Sequence, residues 1–240
     1  GAASILHPRG EHDSNLLKLR YSMRLQSAIF DMDGTLLDSM PTWRELGPTF
    51  LKEAGISATP EQDRMLHILA DCDVIPYLRK VCGLPWSQQE IIDQIIQRME
   101  TFYSSQVRPK PGLEKFLSIL KMEGVWMYVA TATHRRLTEK ALKTAGIDHY
   151  FRGIVTSADA GNHKSESADI YEMAMRRLQS NKRDTVVFED ALHAIRTAKA
   201  AGFRVAGVYE ATAEQDQPEI QRLCDYYIRS YEELVQSETF

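Results

Sequence analysis

The sequence predicts an α/β protein, a doubly wound parallel sheet interrupted by one all-helical insertion. Three observations predict it. Short apolar runs recur from Ser27 to Ile228, each read as a buried strand. Amphipathic segments of about 10–15 residues separate the later runs, the alternation that makes βαβ units and a parallel sheet. Between the first and second runs the alternation stops, and residues 40–107 carry only helical patterns.

Ser27-Ala28-Ile29-Phe30 is the first strand, apolar on both faces as a buried parallel strand must be, and it ends at a carboxylate. In the insertion, Thr59-Pro60-Glu61-Gln62 places a cap residue, a proline at the first helical position and a glutamine three residues after the cap. Ser87-Gln88-Gln89-Glu90 is a capping box, followed by Ile91, Ile92, Ile95, Ile96 and Met99 on one helical face. Arg108-Pro109-Lys110-Pro111-Gly112 cannot continue a helix and reads as the return hinge. Helical patterns then cover Leu113–Met122, Arg136–Ala145, Ser167–Gln179 and Ala191–Ala201. Strands fall at Val125–Ala130, Ile154–Val155, Thr185–Phe188 and Arg204–Val208, with Tyr226-Tyr227-Ile228 as a sixth at the edge.

A chain of 240 residues suits one large domain or a domain with an insertion. Its 43% hydrophobic and 26% charged residues fit a soluble globular protein with a real core. The longest apolar run, Gly124 to Thr133, is far short of the ~18 residues a membrane helix needs. A net charge of −4 without a basic block argues against nucleic acid as partner. Cys72, Cys82 and Cys224 are odd in number and form no CxxC pair, which argues against disulfides and zinc and suits a cytoplasmic setting. Gly1–Ser22 lacks the apolar centre of a secretory signal and reads as an appended or unstructured extension ahead of a start at Met23.

The chemistry-bearing residues sit at strand ends, where ligands bind in open α/β sheets. The first strand ends in Asp31-Met32-Asp33-Gly34-Thr35-Leu36-Leu37-Asp38-Ser39. Two carboxylates at i and i+2 repel each other unless a cation or different protonation states separate them. The second strand ends in Thr131-Ala132-Thr133, a hydroxyl and amides just before a helix start, which suits an anion. His134, Arg135 and Arg136 beside it read as surface residues. Lys164 lies in the loop after the third strand, and Glu189-Asp190 end the fourth. Alone, the lysine is a surface charge and the acidic pair a helix-start preference. Together, four consecutive strands deliver two Asp, a Thr, a Lys and a Glu-Asp pair to one edge. Carboxylates from two strands can hold Mg²⁺, and Thr, amides and Lys can hold phosphate oxygens. An Asp beside both is a nucleophile whose charge the metal masks.

Over residues 25 to about 235 the chain resembles the haloacid dehalogenase superfamily, in its phosphatase branch with a small helical cap. The motifs are DxDGTLLDS at Asp31–Ser39, Thr131 in VATAT, Lys164, and Glu189-Asp190 in VVFEDALHAIRTAKAAGF. The resemblance implies a Rossmann-like core domain, 23–39 and 108–240, and an inserted cap domain, 40–107. It implies that Asp31 attacks phosphorus to form an aspartyl-phosphate. Asp33 protonates the leaving oxygen, then deprotonates water, and touches Mg²⁺ through its backbone carbonyl. Thr131 and the Ala132 amide bind the phosphoryl group, Lys164 offsets charge, Asp190 ligates Mg²⁺, and Glu189 ligates it directly or through water. The metal set is therefore Asp31, Asp33, Glu189 and Asp190.

Two positions depart from the family pattern. Lys164 is followed by Ser165-Glu166-Ser167-Ala168-Asp169 where Pro-x-Pro-Asp is usual, and Ala191 stands where Ser is common. The relatives most resembled are phosphoglycolate phosphatases and β-phosphoglucomutase-like enzymes, so the expected partner is a small phosphate ester, with no nucleic acid and no membrane. Dehalogenase and phosphonate chemistry are disfavoured by the presence of Asp33. Sugar-phosphate mutases carry a His about ten residues beyond it, where this chain has Trp43. A non-catalytic binding protein is disfavoured because Asp31, Asp33 and Asp190 are all present. Trp43, Arg44, His67, Asp71, Asp73 and Arg79 are the cap candidates for choosing a substrate; they match no substrate signature, and each reads first as a helix-surface or packing residue; oligomeric state is equally open.

Overall fold

The computed structural model describes residues 4–5 and 25–235. Among them seven strands form one parallel sheet: β1 (Ser4–Ile5), β2 (Ser27–Phe30), β3 (Trp126–Thr131), β4 (Ile154–Thr156), β5 (Thr185–Glu189), β6 (Arg204–Val208) and β7 (Tyr226–Ile228). Their order is β1-β7-β6-β5-β2-β3-β4. The six predicted strands are all present. The seventh, Ser4–Ile5, pairs with Tyr226-Tyr227 and falls within the predicted extension; two residues are too few for any hydrophobic period to announce. Apart from that pair, residues 1–22 lie outside the described residues.

Alternation along the strands explains the two helical layers. Ala28, Phe30, Val186 and Phe188 join one core with the helices α5 (Leu113–Met122) and α6 (Arg135–Thr144). Ile29, Val187 and Val205 point the other way, into a second core with α8 (Asp169–Arg177), α9 (Leu192–Ala200) and α10 (Gln217–Leu223). The remaining short helix, α7 (Ser157–Ala160), follows β4. The chain runs outward from β2 through β3 to β4, then returns to β2's other side with β5 and continues through β6 to β7. The strand order therefore reverses at β2, beyond whose carboxyl end, between the ends of β3 and β5, sheets of this kind place their ligands.

Residues 40–105 form four helices and no strand: α1 (Met40–Glu53), α2 (Pro60–Leu66), α3 (Asp71–Lys80) and α4 (Gln88–Ser105). Both predicted N-caps are formed, with Thr59 and Ser87 each closing a reciprocal box with the side chain three residues on. Outgoing and returning chain lie side by side. Asp38 N–H donates to the Arg108 carbonyl and Lys110 N–H to the Leu36 carbonyl, both at 2.9 Å, around an antiparallel bridge between Leu37 and Pro109. Two prolines leave this strip without the donors a longer ladder would need. Helix α8 starts at Asp169 rather than Ser167, because the amides of Glu166 and Ser167 turn back to the His163 carbonyl.

Candidate active site

The site is built at the strand-order reversal. Asp31 N–H donates to the Phe188 carbonyl at 3.0 Å, which sets Asp31 level with Glu189 on the neighbouring strand. The chain then coils under itself: the amides of Thr35, Leu36 and Leu37 all return to the Met32 carbonyl. That turn needs Gly34, whose φ is +82°. A Cβ there would collide with the Asp190 carboxylate, so the glycine also lets the first motif approach the fourth.

Asp31, Glu189 and Asp190 bring carboxylate oxygens within 4.8 Å of one another. All three are buried, Glu189 to 1% exposure. Lys164, at 6% exposure, reaches into this group despite its atypical loop. Its Nζ donates to Asp31 Oδ1 at 2.7 Å, Glu189 Oε2 at 2.9 Å and the Ala130 carbonyl at 2.8 Å. Tyr171 O–H donates to Glu189 Oε2 at 2.7 Å, and Thr35 Oγ1 to Asp190 Oδ1 at 2.9 Å. Glu189 Oε1 accepts from the amides of Asp190 and Ala191 at 3.2 and 3.4 Å. It thereby ties down the two main-chain amides that lead into α9, Ala191 being its N-cap.

The Lys164 ammonium contacts two of the three carboxylates, and the electrostatics record the imbalance. Burial pushes the Asp31 carboxyl up to about 6, Glu189 adds to the rise and Lys164 opposes it. Asp190 is raised well above the usual carboxylate range by burial, then by Asp31 and Glu189. Burial alone would lower Lys164, but Asp31 and Glu189 hold it above the ordinary lysine range. A buried all-oxygen cluster short of positive charge is the chemistry of a hard divalent cation site.

Asp33 is turned the other way, and its carboxylate is not in that cluster. Oδ1 accepts from Ser39 Oγ at 2.7 Å and from Tyr103 O–H at 2.5 Å; Oδ2 accepts from Thr133 Oγ1 at 2.7 Å. Burial raises its carboxyl, against the three hydrogen bonds from Tyr103, Thr133 and Ser39. Contact between Asp33 and a cation in the cluster would therefore fall to its main-chain carbonyl. Thr131 ends β3 fully buried, its Oγ1 accepting from Thr133 N–H at 3.0 Å. That leaves the Thr131 hydroxyl proton, beside Ala132, to meet a ligand.

Thr35, Ser39, Tyr103, Thr133 and Tyr171 complete the site, and the sequence reading assigned none of them a role. Thr35, Ser39 and Thr133 lie inside the quoted motifs, and Tyr103 lies four residues beyond Met99 on the apolar stripe of α4, where spacing announces burial and no more. Of the cap candidates, Trp43 donates to Tyr103 O at 2.8 Å. Arg44 and Arg79 donate to the Leu69 and Trp86 carbonyls and so hold the cap itself together. Asp71 lies 3.8 Å from His193 across the gap between cap and core, while His67 faces Glu45 and Asp63 within the cap. His134 caps α6, Arg135 pairs with Asp159 and Arg136 with Glu100, all on the surface.

The family profile described as haloacid dehalogenase-like hydrolase matches residues 28–208. A phosphorylated carbohydrates phosphatase of Thermotoga maritima is 25% identical over 185 residues, covering 77% of this chain and 85% of that protein. Hexitol phosphatase B of Escherichia coli is 26% identical, covering 88% of this chain and 95% of its own length. Among solved structures, CbbY of Rhodobacter sphaeroides in complex with phosphate superposes with a TM-score of 0.74 at 22% identity, covering 88% of this chain and 96% of that one.

Proposed function

The chain belongs to the haloacid dehalogenase-like hydrolases, and on that premise we propose that it is a Mg²⁺-dependent phosphatase of small phosphorylated carbohydrates, working through an aspartyl-phosphate on Asp31. The observation that carries the reading is the Lys164 ammonium holding Asp31 by Oδ1 inside a carboxylate cluster that one ammonium does not neutralise. Lys164 holds Asp31 Oδ1, which leaves Oδ2, 3.5 Å from Thr35 Oγ1, as the oxygen that attacks. The names of the two phosphatase relatives support the substrate class.

The Asp31 carboxylate attacks phosphorus, the P–O bond to the sugar breaks, and Asp33 hands its proton to the departing alkoxide. Thr131, the Ala132 amide and Lys164 bind the phosphoryl oxygens. Asp33, now a carboxylate, takes a proton from water, which attacks the acyl phosphate, releases inorganic phosphate and restores Asp31. The cation's holders would be Asp31, Asp190 and Glu189 with the Asp33 carbonyl; when bound it offsets the charge of nucleophile and phosphate. Glu189 already accepts four hydrogen bonds, from Lys164, Tyr171 and two amides, so contact through water suits it better than direct ligation. The helical cap covers the site and excludes water during the first step.

The reading is tested by phosphate release across a panel of hexose, hexitol and pentose phosphates with Mg²⁺. Turnover of at least one class is expected, and no turnover of any would reject the substrate assignment. Trp43 bonds to Tyr103 and offers no imidazole, which sets hydrolysis ahead of mutase chemistry. With β-glucose 1-phosphate and a trace of its bisphosphate, free phosphate or no reaction is expected; rapid formation of glucose 6-phosphate would reverse that order.

Lys164→Ala should lower kcat by about 10²–10³, the scale of losing one preorganised electrostatic stabiliser. It should also lower the thermal midpoint, because Asp31 and Glu189 lose the buried cation that both contact. A variant within about threefold of the parent rate, with an unchanged midpoint, would show that the lysine has no part in the site.

A further inference from the structure

Tyr103 is a buried polar residue of the cap that the proposed chemistry does not use. It sits in the last turn of α4, fully buried, with its O–H on Asp33 Oδ1. Trp43, in the first turn of α1, donates its indole N–H to the tyrosine oxygen. A phenol has a single proton. With the indole on its oxygen, that proton is directed at Asp33. The two ends of the cap insertion thus meet beside the same carboxylate, Tyr103 on it directly and Trp43 through Tyr103.

The two oxygens of Asp33 have different surroundings. Oδ1 accepts two donors, Ser39 and Tyr103, which fill its lone pairs. Oδ2 accepts Thr133 and retains a free lone pair. Thr133 also donates its amide to Thr131, so Oδ2 is the oxygen on the side of the segment assigned to phosphate. Rotation about the last bond of an aspartate is soft and two-fold, so nothing within the residue itself distinguishes the two oxygens.

We propose that Tyr103, backed by Trp43, is a positioning residue that joins Ser39 in occupying Asp33 Oδ1, leaving Oδ2 to carry the proton to and from the reacting groups. The inference rests on the acid/base reading of Asp33. Tyr103→Phe removes one oxygen and keeps the ring in place. A carboxyl freed from the cap can present the wrong oxygen, and misplacement of that order slows proton transfer while the other contacts to substrate stay intact.

The test is kcat/KM, read for Asp33→Asn as the second-order rate of phenol release in the first turnover, for a series of substituted phenyl phosphates, from p-nitrophenyl to phenyl, in parent, Tyr103→Phe, Trp43→Phe and Asp33→Asn. p-Nitrophenolate departs unaided, whereas phenolate, with a conjugate acid of pKa about 10, needs a proton. Tyr103→Phe should stay within about threefold of the parent on p-nitrophenyl phosphate. On phenyl phosphate it should fall about tenfold or more, part of the 10²–10⁴ that general acid catalysis supplies. Trp43→Phe should steepen the same dependence by less, and Asp33→Asn should steepen it most. An equal fall across the series for Tyr103→Phe, beside a steepened Asp33→Asn, overturns the inference and leaves the acid/base reading standing. If Asp33→Asn also falls equally across the series, the reading of Asp33 is overturned and the inference with it.

Discussion

Asp31→Asn should abolish phosphate release from every ester, however good its leaving group. The substitution keeps the shape of the side chain and removes its nucleophilicity. It also removes the charge that Lys164 contacts at 2.7 Å, while Glu189 keeps that ammonium paired, so the fold should survive. Asp33→Asn should behave differently. That carboxylate accepts from Ser39, Tyr103 and Thr133 and stands apart from the cluster, so the change leaves the nucleophile and its cation in place. An aryl phosphate leaves without an acid and should still phosphorylate Asp31 slowly. The second step needs a base to take a proton from water, so the acyl phosphate should accumulate. Rapid-quench mass spectrometry with p-nitrophenyl phosphate should find one phosphoryl group on Asp31 in Asp33→Asn and none in Asp31→Asn. Were both variants alike, whether in activity or in lacking the adduct, both aspartates would be metal ligands and nothing more, and the division of labour would be wrong.

The sequence showed the residues that chemistry places at strand ends. Asp31, Thr131 and Glu189 end or directly follow buried runs, and a parallel sheet brings consecutive carboxyl ends to one edge regardless of detail. Lys164 lies in a loop, and the residues after it depart from the usual pattern. The structure brings it to Asp31 through a turn on His163 that needs no proline. What the sequence did not show is the set of hydroxyls that divide the four carboxylates into two environments. Thr35 and Ser39 lie inside the first motif, yet only the fold reveals that one bonds Asp190 and the other Asp33. Tyr171 belongs to the second core and Tyr103 to the cap. Each reads as an ordinary apolar-face residue, since helical spacing predicts that a tyrosine is buried and says nothing of what its hydroxyl meets. The edge strand Ser4–Ile5 escaped for the same reason, being fixed by its partner β7 and by no pattern of its own.

Removing Mg²⁺ should abolish turnover and also loosen the fold, because the same buried carboxylates answer for both. In the metal-free protein the Asp31 carboxyl is pushed up to about 6, against about 3.9 for an unfolded aspartate. A folded pKa above the unfolded one means that protonation favours the fold. That stabilisation is complete below about pH 4 and is lost as pH rises through about 6. Asp190, also raised, contributes in the same direction. At pH 7.5 the cluster therefore holds charges that one lysine does not balance, and a divalent cation has most to offer there. Mg²⁺ at about a hundred times its dissociation constant adds ~2.7 kcal/mol, or roughly 5–10 °C in thermal midpoint for a chain of this size. At pH 5 the rise should shrink, because protons compete for the same oxygens. Asp190→Asn, which removes a donor from the cluster, should lose most of the rise at pH 7.5. Ca²⁺ should raise the midpoint as well yet support little turnover, since its larger and looser coordination shell misplaces nucleophile and phosphate. Full activity in excess chelator, with a midpoint indifferent to Mg²⁺ at pH 7.5, would mean that Lys164 and protons alone satisfy the three carboxylates.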